Sequence, residues 1–194
     1  MSEMYHDEIV ERSWRTLLEL RKRYDFVLIG GWAAWVYTQK EKSKDIDIVV
    51  DFPELAKMRR ELFPSRNGRL KRYEVNVDGF DVDIYVPYFS TTLFLPPEFV
   101  IRNAVLRGGF RVPEVEVLFL LKYGAWKERK QSLKGEKDYR DLLSLAPLVD
   151  RERLMRLVRE HGKAGAPEIA RDISTLLKYP GHPPKGRRPR CPKL

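Results

Sequence analysis

Two aspartate pairs with the same spacing stand out: Asp45-Ile46-Asp47 and Asp81-Val82-Asp83. In a strand, residues i and i+2 point to the same face, so each pair sets its carboxylates about 6–7 Å apart on one side. Such a pair offers the hard oxygen ligands that Mg²⁺ takes, leaving positions for water and phosphate. A third carboxylate from a neighbouring strand would complete a site for one or two ions, or act as general base on an acceptor hydroxyl. Solvated strand ends also carry Asp-x-Asp, so the pairs need a setting. Gly30-Gly31 supplies a candidate. Glycines between a buried strand and a helix let the backbone approach a ligand, and the N–H groups at the helix start favour phosphate.

The elements that must position these residues can be read from pattern. Residues 3–24 have the spacing of an amphipathic helix. Phe26 to Ile29 is a short apolar run of the buried-strand type, stopped by Gly30-Gly31. Trp32 to Gln39 reads as a helix, with Trp32 and Trp35 as core rather than base-stacking residues. Asp45 to Val50 alternates and is β-branched, as a strand requires. Pro53 opens a helix over 54–62, and 64–68 reads as a loop. Arg69 to Val77 and Phe80 to Val86 form a hairpin around Asp78-Gly79. Pro87, Pro96 and Pro97 punctuate an irregular stretch, and a second small hairpin turns at Gly108-Gly109. Beyond Pro113 the spacing predicts helices over 114–132, 136–145, 151–161 and 166–179. The expected architecture is α/β (α+β): a mixed sheet flanked by helices over 1–112, a helical lobe over 113–179, and a basic, proline-rich, disordered tail over 180–194.

Composition narrows the function. The chain has 194 residues, with 37 Lys and Arg against 28 Asp and Glu, a net charge of +9. The excess is uneven. Residues 1–100 carry 15 basic and 17 acidic side chains, whereas 101–194 carry 22 and 11. That asymmetry suits a polyanionic partner such as nucleic acid or nucleotide phosphate, and also a plain solvated basic surface. No apolar run approaches the ~20 residues of a membrane helix, so no membrane role is expected. A single cysteine, Cys191, excludes a disulfide framework and a cysteine zinc site, and the cytoplasm is the expected compartment. The histidines, His6, His161 and His182, lack metal-ligand spacing. Residues 57–72 hold seven basic side chains and one acid, an RNA- or phosphate-facing edge or else a solvated face.

The order strand, Gly-Gly, helix, Asp-x-Asp strand, Asp strand resembles the nucleotidyltransferase superfold of DNA polymerase β-like enzymes. The residues that carry the likeness are IGGWAAW, KDIDIVV and VDIYVPY, over about 24–90. The GGWA form with a closely following DID is similar to the AbiEii-like, abortive-infection nucleotidyltransferases and to the aminoglycoside and lincosamide nucleotidyltransferases. The resemblance implies that 1–112 is a catalytic core. It implies Asp45, Asp47 and Asp83 as catalytic, Mg²⁺-binding residues, with Gly30 and Gly31 at the phosphates of a nucleoside triphosphate. Asp81 competes with Asp83 as the third acid, and VDIYVPY favours Asp83. A looser likeness extends to RGGFRVPEVEVLFLLKYGAWKER and GEKDYRDLLSL. By it, Lys122 contacts nucleotide phosphate, and Asp138 fixes the base-binding helix or acts near the acceptor. The plainer alternatives are a snorkelling Lys122, and a capping cluster of Lys137, Asp138 and Asp141 with i,i+4 pairs. Relatives often carry an arginine shortly before the Asp-x-Asp. Here the segment is Glu41-Lys42-Ser43-Lys44, which leaves Lys42 or Lys44 as the replacement charge.

The implied function is Mg²⁺-dependent transfer of a nucleoside monophosphate to an acceptor hydroxyl. RNA, especially a tRNA end, is the implied acceptor, and a cognate antitoxin protein is an implied partner. The competing readings are a small-molecule, antibiotic-type nucleotidyltransferase and a non-catalytic nucleotide- or RNA-binding module.

Overall fold

The computed structural model describes the backbone of residues 2–178 and the side chains of residues 8–178. The tail expected over 180–194 lies outside the described residues. The first half runs α1 (Ser2–Arg23), β1 (Val27–Ile29), α2 (Gly30–Thr38), β2 (Ile46–Val49), α3 (Phe52–Glu61), β3 (Ser65–Asn67), β4 (Arg72–Val77) and β5 (Phe80–Tyr85). Next come α4 (Pro97–Arg102), β6 (Ala104–Arg107) and β7 (Phe110–Pro113). The helices α5 (Val115–Arg129), α6 (Leu133–Leu145), α7 (Arg151–His161) and α8 (Ala166–Lys178) follow.

Among the described residues seven strands form one mixed sheet, ordered β3-β4-β5-β2-β1-β7-β6. β1 is antiparallel to β2 and parallel to β7, while β2 is parallel to β5. The fold is therefore the expected mixed α/β one. The Asp78-Gly79 hairpin is present, both residues at positive φ (52° and 88°), as a two-residue turn between right-twisted strands requires. Two local readings need correction. The segment read as a loop over 64–68 contains β3, which the β4 edge recruits by pairing Arg66 with Tyr73. The irregular stretch after Pro87 contains α4, with Pro97 in its first turn, where a missing N–H costs nothing.

The core explains why the helices pack as they do. Residues 117–121 of α5 are all buried, so this helix runs through the interior rather than along its surface. α6 packs on α5 and on α2, which ties the helical half to the sheet. Trp32 is fully buried against Trp14, with ring centroids 4.9 Å apart, and Trp35 packs on the same ring, so both tryptophans are packing residues. His161 stacks edge-on against Phe99. Asp51, Ser132 and Asp150 cap α3, α6 and α7 by accepting backbone N–H bonds, each cap contributing about 1 kcal/mol. No helix among the described residues is long and apolar enough to cross a membrane.

Candidate active site

Strand register brings the acids together. β2 and β5 run parallel with Asp47 opposite Asp83, and adjacent strands lie about 4.8 Å apart. Asp45 stands one residue before β2, on the Asp47 side. On the other side, β1 pairs Ile29 with Asp47, which sets Gly30 directly against the Asp47 carboxylate. A Cβ at Gly30 would fall 2.2 Å from Asp47 Oδ2, and the residue has φ 66°, so only glycine fits. Gly31 is needed for another reason. A Cβ there would meet Ser43 Oγ at 2.6 Å and Lys137 Nζ at 2.7 Å, so it serves the packing of α2 against α6.

Gly30, Asp45, Asp47 and Asp83 line one wall of a cleft of about 360 Å³. The opposite wall comes from α5 and α6: Lys122, Arg129, Lys134 and Asp138. Leu70, Thr92 and Phe94 close the side. Asp81 is exposed and accepts a hydrogen bond from Asn76, away from the cleft, so Asp83 is the third acid that faces the pair. Lys44 is exposed and does not line the cleft. Basic residues from elsewhere supply the charge instead.

The two walls differ electrostatically. Lys122 is buried and ion-paired with Asp138 (3.1 Å) and Asp141 (2.6 Å). Burial pushes its ammonium down, but Asp141 and Asp138 outweigh this and hold it above the ordinary lysine value. Asp138 also accepts from Arg129 at 2.6 Å. Burial pushes Asp138 up, but the Arg129 bond and the Lys122 charge leave it below the usual carboxylate range. The snorkelling alternative for Lys122 thus fails, because its head is enclosed. The capping alternative fails in part: Ser132 caps α6, although Lys137 and Asp141 do form an i,i+4 pair at 3.6 Å.

The carboxylate wall is not balanced in this way. Burial, the main cause, pushes Asp47 up; the nearby Asp45 adds to this, against an opposing pull from Lys122. Asp83 is pushed up to about 7, by burial first and then by the Asp47 charge, although Arg72 sits 2.9 Å away. Asp45 is paired with Lys134 at 3.0 Å. Among the described residues no three acidic, histidine or cysteine side chains form a ready-made metal cage. The donor set nonetheless fits Mg²⁺. Asp47 and Asp83 are adjacent, half-buried carboxylates that repel each other, present only hard oxygen donors, and open onto a cleft with basic residues opposite.

Arg129 and Lys134 had no place in the sequence reading, and Arg72 entered it only as the end of the basic run 57–72. The hairpin register opposes Glu74 to Asp83, so Arg72, two residues before Glu74, must share the Asp83 face. Arg129 lies seven residues after Lys122, two turns along the same helix face. Lys134 carried no signal, because the turn between α5 and α6 decides its position.

Comparison with known proteins agrees with the fold. No protein-family profile and no curated protein matches the chain. Among solved structures it resembles an antigenic nucleotidyltransferase-like protein from Paracoccidioides brasiliensis, with TM-score 0.54 and 16% identity, over 90% of this chain and 89% of that one. ANT(2")-Ia in complex with adenylyl-2"-tobramycin is similar at 12% identity over 81% of this chain and 95% of that one, with TM-score 0.47. The mixed sheet with its flanking helices is a nucleotidyltransferase-type fold.

Proposed function

We propose that this protein is a Mg²⁺-dependent nucleotidyltransferase that moves a nucleoside monophosphate from a nucleoside triphosphate to an acceptor hydroxyl, with RNA as the acceptor. The observation that carries this reading is the in-register placement of Asp47 beside Asp83, with Gly30 against Asp47 and a basic wall across one cleft. Asp45, Asp47 and Asp83 would hold the metal. When bound, Mg²⁺ supplies charge neutralisation at the phosphates and at the departing pyrophosphate. Gly30, whose missing Cβ makes room for the Asp47 carboxylate, lines the cleft in which the phosphates would lie. Arg129, Lys134 and Lys122 face the acids from α5 and α6 and favour the negative charge of a triphosphate between the walls. Asp138 holds Arg129 and Lys122 in place through its two carboxylate oxygens. Asp83, which lines the cleft opposite Asp47, is the group placed to take the proton of the acceptor hydroxyl.

The +11 balance of residues 101–194 supports RNA over a small acceptor. A tRNA end as the acceptor and an antitoxin protein as partner rest on the AbiEii-like resemblance and complete the proposal. The test is incubation with each α-labelled nucleoside triphosphate, Mg²⁺ and total RNA, beside a panel of small hydroxyl compounds. Label on RNA with release of pyrophosphate, lost in Asp47→Asn, supports the reading. Label on small compounds alone replaces RNA as the acceptor. Unchanged transfer by Asp47→Asn refutes the site.

A further inference from the structure

Next to the cleft lies a surface that the proposed chemistry does not use. Phe89 carries two cations over its ring: the Arg66 guanidinium at 4.4 Å and the Lys71 ammonium at 5.9 Å from the centroid. Tyr73 packs against the same ring at 5.5 Å. The adjacent Tyr88 is 83% exposed and lies nearly parallel to Phe52, at 9° and 6.3 Å, with Phe52 itself half exposed. Lys71 and Tyr88 both sit at positive φ (53° and 59°), a conformation that side-chain-bearing residues rarely adopt. Arg59, Arg60, Arg66, Arg69 and Lys71 are all exposed, and among the described residues none of them has an ion pair with a carboxylate. The contrast is with Arg23, Arg111, Lys127 and Arg153, which are all paired with acids.

This surface continues into the cleft. Leu70, between Arg69 and Lys71, lines it, and Thr92, another lining residue, donates to the Leu70 carbonyl at 3.3 Å. Arg72 follows and reaches Asp83. The segment from Arg66 to Arg72 therefore leads from β3 to the cleft, with Leu70 and Arg72 lining it.

We propose that the surface formed by Arg66, Lys71, Tyr88 and Phe89 binds a single-stranded stretch of the RNA acceptor and leads its terminal hydroxyl to the cleft. The inference rests on the nucleotidyltransferase reading for its purpose, but not for its test. Cations without an acidic partner match a phosphate backbone, Phe89 holds two of them in place, and the exposed Tyr88 ring offers stacking to an unpaired base. A duplex hides its base faces, and an acidic peptide has none, so neither exploits the rings. The fit is therefore to single-stranded nucleic acid.

The test is fluorescence anisotropy on the full chain with a labelled twelve-nucleotide single-stranded RNA, without nucleotide or turnover. Arg66→Ala/Lys71→Ala is expected to weaken binding at least tenfold and to reduce the salt slope by about 1.4. Tyr88→Ala is expected to weaken it at least threefold, with the salt slope unchanged. Arg66→Lys/Lys71→Arg should retain binding to within threefold. As a control, Arg156→Ala/Arg159→Ala, on the exposed face of α7, should alter binding less than twofold. Unchanged affinity in the first variant, or a larger loss in the α7 control, overturns the proposal. So does tighter binding of a duplex or of polyglutamate than of the single strand. Transfer assayed separately with Asp47→Asn reports on the chemistry, so failure of either reading is seen alone.

Discussion

The two walls of the cleft are built from the same residue types and behave oppositely. On α5 and α6, buried Lys122 is matched by Asp138 and Asp141, and Asp138 in turn by Arg129. On β2 and β5, Asp47 and Asp83 lie side by side; Arg72, shared with Glu74, pairs with Asp83, and Lys134 pairs with Asp45, which leaves Asp47 without an ion pair of its own among the described residues. Buried charge matched within its own wall builds structure. Charge left in excess at a cleft is the kind that would gain from a cation.

That comparison can be broken at several points. The largest effect expected is on transfer: Asp47→Asn should lower turnover at least a thousandfold, measured as pyrophosphate release, while its urea midpoint in EDTA stays equal to or above that of the parent. Removing one of two adjacent carboxylates relieves repulsion, so a large loss of stability would show that Asp47 is structural. Lys122→Met should do the reverse to the fold. It leaves Asp138 in the interior with Arg129 alone and Asp141 with only the 3.6 Å contact to Lys137, and a loss of about 3–5 kcal/mol in urea unfolding is expected. A loss below 1 kcal/mol would mean that the α5–α6 wall is not held by its charges.

The third prediction uses pH. Asp83 has a folded-state value near 7, above that of an unfolded aspartate, so the native state binds the extra proton. Its contribution to stability is fully present below about pH 4 and is lost as pH rises through 7. In EDTA, Asp83→Asn should therefore melt at least a few degrees above the parent at pH 8, with the gap closing towards pH 4. Mg²⁺ should raise the melting temperature of the parent at pH 8 and leave Asp47→Asn/Asp83→Asn unmoved. Equal gaps at both pH values would remove Asp83 from the unbalanced wall. The smallest effect is expected at the rim. Lys134 is 63% exposed where it pairs with Asp45, and Lys134→Ala should change stability by less than about 1 kcal/mol.

Much of this arrangement was legible along the chain. The alternation of Asp45 to Val50, the Gly30-Gly31 stop and the Asp78-Gly79 turn predicted β1, β2 and the β4–β5 hairpin, because each is local chemistry of backbone and side-chain period. β3 was missed because Ser65-Arg66-Asn67 has no strand pattern of its own and pairs only because the β4 edge is beside it. Lys122 was legible as a position, but its burial was not. A lysine on a helix ordinarily reaches water, and here α6 brings two carboxylates over its head.

The sequence alone determined which acids share a strand face, that glycine must follow β1, and that the positive charge gathers in the second half. These follow from a period of two, from a missing Cβ and from composition. Only the tertiary structure decided that Asp83 rather than Asp81 joins Asp47, through the parallel β2–β5 register. It alone decided that Arg72, Arg129 and Lys134, rather than Lys44, supply the opposing charge. Those choices depend on which strands become neighbours and how α5 and α6 fold back over the sheet, contacts between residues far apart in the chain that no local pattern encodes.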